Sequence, residues 1–204
     1  MKYLLMTAGL ALCLFCSSAG TRAQSTVFTT GPINGTLTGW AINGNFGVAD
    51  SFTLSQPATI GNVTFGSWLA TGDTLTSVNW AIASSPFGST LASGTALNPT
   101  STFITTAISG HFSVYSETFS ISSVSLSPGT YYFEMQNAQT PGGQDGFWDE
   151  NNGPNSTAAL YENGSFYESI GAESFTLSTP VPEPGVLALA CLGPVLMLLV
   201  RRKK

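Results

Sequence analysis

"TLTSVNWAIAS", Thr74–Ser84, is the stretch on which the fold turns. Val78, Trp80 and Ile82 recur at every second position, with Asn79 between the first two. Successive side chains of a strand point to opposite faces, so this spacing predicts a strand with one buried side. "TYYFEMQ", Thr130–Gln136, repeats the pattern: Tyr131, Phe133 and Met135 fall on one side, and Tyr132, Glu134 and Gln136 on the other. "VADSFTL", Val48–Leu54, and "ATIGNVTFGSWLA", Ala58–Ala70, are rich in β-branched and aromatic residues. Turn chemistry such as the Ser-Pro-Gly of "LSPGTYYF" separates these runs. In "HFSVYSETFSI" the apolar parity changes from Phe112 and Val114 to Phe119 and Ile121, which predicts a bulge or a strand break. No window of the body sustains a helical stripe. Strand signals at this spacing predict an all-β, antiparallel two-sheet sandwich of jelly-roll-like topology.

Charge narrows the function. The six basic residues are Lys2, Arg22, Arg201, Arg202, Lys203 and Lys204, so Gln24–Pro180 contains no Lys or Arg and ten acids. Nucleic acid is excluded as a partner in practice, because Lys and Arg supply most of the affinity for phosphate backbones. Cys13, Cys16 and Cys191 all lie outside this stretch, so the body has no disulfide and must rest on its own core.

Both ends read as targeting segments. Lys2, the apolar run Tyr3–Cys16 and the small residues up to Ala23 have the layout of a secretory signal peptide, implying signal peptidase and the general secretion machinery as transient partners. The bulky Leu12 and Phe15 before Cys13 and Cys16 argue against a lipoprotein signal. At the other end, Gly185–Val200 is apolar and abuts Arg201, Arg202, Lys203 and Lys204, which by the positive-inside tendency stay cytoplasmic. As a helix this segment would span about 24 Å against a hydrocarbon core of about 30 Å, and Pro194 interrupts it, so it is marginal as a permanent anchor. Directly before it stand Pro182, Glu183 and Pro184.

Motif, apolar segment and basic terminus, in that order over Val181–Lys204, resemble the PEP-CTERM sorting signal of Gram-negative bacteria. The resemblance implies an exosortase as a transient membrane partner that processes the tail. It divides the chain into a signal peptide (1–23), an exported sandwich (24–180) and a sorting signal (181–204). The body, in stretches such as "ADSFTLSQPATIGNVTFGSW", "VYSETFSISSVSLSPGTYYFEMQNA" and "ESFTL", also looks like the ectodomain common among proteins with this signal. That likeness implies a sandwich and a place in the envelope or matrix of exopolysaccharide-producing bacteria, and supplies no catalytic residues.

The densest polar cluster is "GGQDGFWDENNGPNS", Gly142–Ser156. Asp145, Asp149 and Asn151 offer hard oxygen ligands between glycines, which fits calcium, although the spacing is not that of an EF-hand. Trp148 beside Asp145, Asp149, Glu150 and Asn151 equally fits a sugar site, with the indole packed on a pyranose ring. A solvated loop around a buried Trp, with no ligand, is the plain reading of the same residues, ahead of both. Catalysis is harder to build. His111 has no second His or Cys to form a zinc site and no nucleophile elbow to serve. Glu117 and Glu134 lie on separate predicted strands and form the one conceivable glycosidase pair. Alternation is expected to turn both outward. The expectation is therefore a structural or adhesive protein of the envelope or extracellular matrix without a required cofactor; a carbohydrate-binding module is the alternative and an enzyme the third reading.

Overall fold

The computed structural model describes residues 24–181 except 152, 154–157 and 163–164, with the backbone alone for 158–161 and 166–169. The described chain is built of strands, with no helix among the described residues. In order they are β1 (Thr26–Thr29), β2 (Gly39–Ala41), β3 (Phe46–Leu54), β4 (Ala58–Ala70), β5 (Ser77–Ala83), β6 (Thr90–Leu97) and β7 (Thr100–Thr106). They continue as β8 (Phe112–Leu126), β9 (Gly129–Gln139), β10 (Phe147–Asn151), β11 (Ala158–Glu162), β12 (Ser165–Ile170), β13 (Ala172–Glu173) and β14 (Phe175–Ser178). Ser25–Pro180 forms one compact unit.

All pairings are antiparallel and fall into two sheets. In the first, β4 is the spine: β8 pairs along one edge, and β7 adds outside β8. The other edge of β4 is shared end to end by β14, opposite Asn62–Phe65, and β10, opposite Ser67 and Trp68. β1 adds to β14, while β2 and β13 add to β10. The second sheet runs β12, β11, β3, β9, β5, β6.

Alternation puts the core between the sheets. Val63, Phe65 and Leu69 of β4, Phe119 of β8, Trp148 of β10, and Phe175 and Leu177 of β14 face inward from the first sheet. Val48 and Phe52 of β3, Phe133 and Met135 of β9, and Val78, Trp80 and Ile82 of β5 face them from the second. Ring contacts cross the gap: Phe133 lies 5.8 Å from Trp148 and 5.6 Å from Phe175, and Phe28 5.8 Å from Phe52. The predicted period-two faces of β5 and β9 are thus the buried faces. Gly94 of β6 is needed where the indole of Trp80 passes, since a Cβ there would stand 3.1 Å from that ring.

The parity change in "HFSVYSETFSI" has another cause than the expected break. The register of β8 on β4 is continuous from Phe112↔Ala70 to Ser120↔Asn62, and the irregularity lies beyond, between Ser120 and Val124. Val114 is apolar because it belongs to a second cluster with Trp68 and Ala107, against which Ile33, Phe112 and Phe147 pack. This cluster covers the outer face of the first sheet, so β8 is apolar on one face at its start and on the other further along.

Candidate functional site

The middle of the cluster read from sequence as a loop is a strand. Phe147–Asn151 forms β10, wedged between β4, β2 and β13, and its alternation separates the side chains that the sequence brings together. Trp148 points into the sandwich, fully buried, with its rings edge-on to Phe65, Phe133 and Phe175, and its indole N–H donates to the Ser174 carbonyl at 3.0 Å. No face of this indole is open to a sugar.

Asp149, one residue on, points to the opposite face and is also buried. Its carboxylate accepts the Asn34 and Gly35 backbone N–H groups at 3.1 and 3.0 Å and the Trp68 indole N–H at 2.6 Å. Burial pushes its pKa up, and the bonds from Trp68, Asn34 and Gly35 pull it back. Asp149 pins the segment before β2 across the outer cluster. Asn151 is similarly occupied, donating to the Pro32 carbonyl and accepting the Gly153 N–H. Asp145 lies before the strand, exposed, and accepts a bond from the Asn43 amide at 2.7 Å. Asp145, Asp149 and Asn151 therefore each hold protein partners of their own. Among the described residues, no three His, Cys, Asp or Glu side chains close on a common metal-ligand point.

A different acidic grouping stands inside the sandwich. Asp50 shares its strand face with Val48 and Phe52, Glu150 with Trp148, and Glu173 continues the inward stripe of Phe175 and Leu177. Asp50 and Glu173 are both wholly buried. Glu150 and Glu173 are direct cross-strand partners, and the Glu173 backbone N–H donates to the Asp50 carboxylate across the sheets at 2.7 Å. The Glu150 carboxylate accepts the Trp40 indole N–H at 2.6 Å. Neither carboxylate oxygen of Glu173 has a hydrogen-bond partner. Burial first, then the charges of Asp50, Glu150 and Asp149, drive its pKa well above the ordinary carboxylate range.

The sequence contained an unread sign of this grouping. "ADSFTL", Ala49–Leu54, and "AESFTL", Ala172–Leu177, are the same hexapeptide but for one methylene in the acid. One copy lies in each sheet, and their Phe and Leu residues are core in both.

Glu117 and Glu134 do not share a cleft. Both are buried; Glu134 lies on the outer face as alternation predicts, and Glu117 does not. Glu117 shares the inward side of β8 with Phe119 and accepts bonds from the Ser67 and Ser101 hydroxyls. Glu134 lies on the outer side of β9, opposite in parity to Phe133 and Met135, where its carboxylate accepts the Phe87 N–H at 2.7 Å. A sheet stands between them. Desolvation raises the pKa of each, opposed by those hydrogen bonds. His111 is exposed in the turn before β8. A polar cavity of about 360 Å³ opens where the chain crosses from β6 to β7, lined by Asn62, Thr95, Asn98, Thr100, Thr118 and Ser120 among others.

The signal peptide (1–23), the sorting motif Pro182, Glu183 and Pro184, the apolar segment and the basic tail Arg201, Arg202, Lys203 and Lys204 lie outside the described residues. Comparison with known proteins yields no matching family model and no matching curated relative.

Proposed function

We propose that this chain is an exported structural or adhesive component of a Gram-negative cell envelope or extracellular matrix, delivered as an exosortase substrate. The observation that carries the reading is the order of the C-terminus: the compact β unit ends at Pro180, and Pro182-Glu183-Pro184, an apolar run and four cations follow at once. A body without Lys or Arg suits life among neutral or cation-bridged polysaccharides. Uncharged, Thr-rich edge strands β6 and β7 expose Leu97, Phe103 and Ile104, which supports a role in surface association. Seven of the ten connections from β3 to β13 cross between the sheets, which favours a jelly-roll-like classification.

The experiment is routing. Glu183→Ala, or deletion of Pro182–Pro184, is expected to leave the chain in the membrane fraction with its tail attached, while the wild type is released. Release of both at equal rates would refute exosortase handling.

The second reading is a carbohydrate-binding module, and the β6–β7 cavity is what favours it. Its amides and hydroxyls match the donors and acceptors of a sugar. A glycan array decides between the two, with saturable retention of one glycan supporting the module.

A further inference from the structure

The inward stripes of the two hexapeptides end in acid at the same place in the sandwich. Asp50 and Glu173 sit where the alternation calls for a core residue, both fully buried, joined through the Glu173 N–H. Both oxygens of Glu173 lack a partner, although nearly all buried polar atoms in folded proteins have one. No cationic side chain of the body relieves this, since Gln24–Pro180 has no Lys or Arg and its one His, His111, is exposed. Glu150 adds a third carboxylate from across the β10–β13 pair. A buried carboxylate facing others with no compensating charge is costly, and it is relieved either by holding a proton or by a bound cation.

We propose that a hard divalent cation, calcium, binds between Glu173 and Asp50 and ties β13 of the first sheet to β3 of the second. Oxygen-only donors select calcium or magnesium over softer metals. Calcium tolerates the irregular set that two strands and water ligands provide, whereas magnesium demands near-ideal octahedral geometry. Two inner carboxylates suffice for an ion that keeps waters, with Glu150 contributing charge from the neighbouring strand. This is a different place from Asp145, Asp149 and Asn151, and it is independent of the routing proposed above.

The test uses the full-length chain in detergent, stripped with EDTA and titrated with terbium(III) and then with calcium chloride. Terbium luminescence sensitised through nearby indoles, Trp40 among them, is expected to saturate and to be displaced by calcium. Calcium is also expected to raise Tm in proportion to the logarithm of its concentration, as for a ligand that binds only the folded state. Glu173→Gln removes one ligand while keeping the shape of the protonated side chain, so it is expected to weaken calcium binding roughly tenfold or more and to leave the metal-free fold in place. Asp145→Asn, at an exposed position, is expected to leave both readouts unchanged. Should Glu173→Gln fail to fold, Glu150→Gln is expected to weaken terbium binding with the fold intact. No calcium-dependent rise in Tm for the wild type, or a rise retained in full by Glu173→Gln, overturns the proposal.

Discussion

Trp148→Ala distinguishes a core indole from a ligand-facing one. Trp148 has no exposed surface and makes three edge-on ring contacts, with centroid distances of 6.3 Å to Phe65, 5.8 Å to Phe133 and 5.7 Å to Phe175. Truncating a buried aromatic residue costs about 3–5 kcal/mol, because packing is lost and a cavity remains. The Ser174 carbonyl also loses its indole donor, adding about 1 kcal/mol. Domains are stable by about 5–15 kcal/mol, so the variant forfeits a large share of the total. For a chain of this size that corresponds to a fall in Tm of roughly 10–20 °C. Trp148→Phe keeps most of the ring packing and loses the hydrogen bond, so about 1–2 kcal/mol is expected. Urea unfolding followed by circular dichroism measures both without relying on the fluorescence of the altered residue. Stability of Trp148→Ala within about 1 kcal/mol of wild type would show that the indole is not in the core. Loss of polysaccharide retention alongside that result would restore the surface sugar site.

Two other outcomes follow from the buried acids. Asp149→Ala strips the acceptor from the Asn34, Gly35 and Trp68 N–H groups, and a loss of about 2–4 kcal/mol in urea unfolding is expected; a neutral result would mean that these bonds do not anchor the segment before β2. Burial raises the pKa of Glu117, Glu134, Asp149 and Glu173 alike. Each binds its proton more tightly folded than unfolded, so its contribution is full below the unfolded value and declines as pH rises through the folded one. In EDTA, Tm is therefore expected to be higher near about pH 5 than near about pH 8, and thermal scans showing the opposite slope would contradict the burial of these groups.

Much of the fold was legible because it depends on local alternation. Ala58–Ala70 is β4 to the residue, and the inward faces of β5 and β9 are the ones that the period of two picks out. β10 was not legible, for a physical reason. Both of its faces are covered, one by the sandwich core and the other by the cluster around Trp68, so Trp148 and Asp149 are equally buried and the alternation of polarity no longer marks solvent. Its partners Trp40, Trp68 and Glu173 are remote in sequence, and five residues between glycine-rich turns look like a loop. Glu134 misled in the same way, since an acid on an outer strand face signals solvent only where nothing folds over it, whereas Glu117 faces inward beside Phe119. Asp50 and Glu173 were marked in the sequence by the repeated hexapeptide, a signal that neither composition nor spacing rules detect.

Intact-mass measurement of the protein released into the medium bears most directly on the proposed export and processing. A mature chain that begins near Gln24 and lacks Arg201–Lys204 is expected. A released chain that still carries Arg201, Arg202, Lys203 and Lys204 would contradict tail processing and, with it, the assignment as an exosortase substrate.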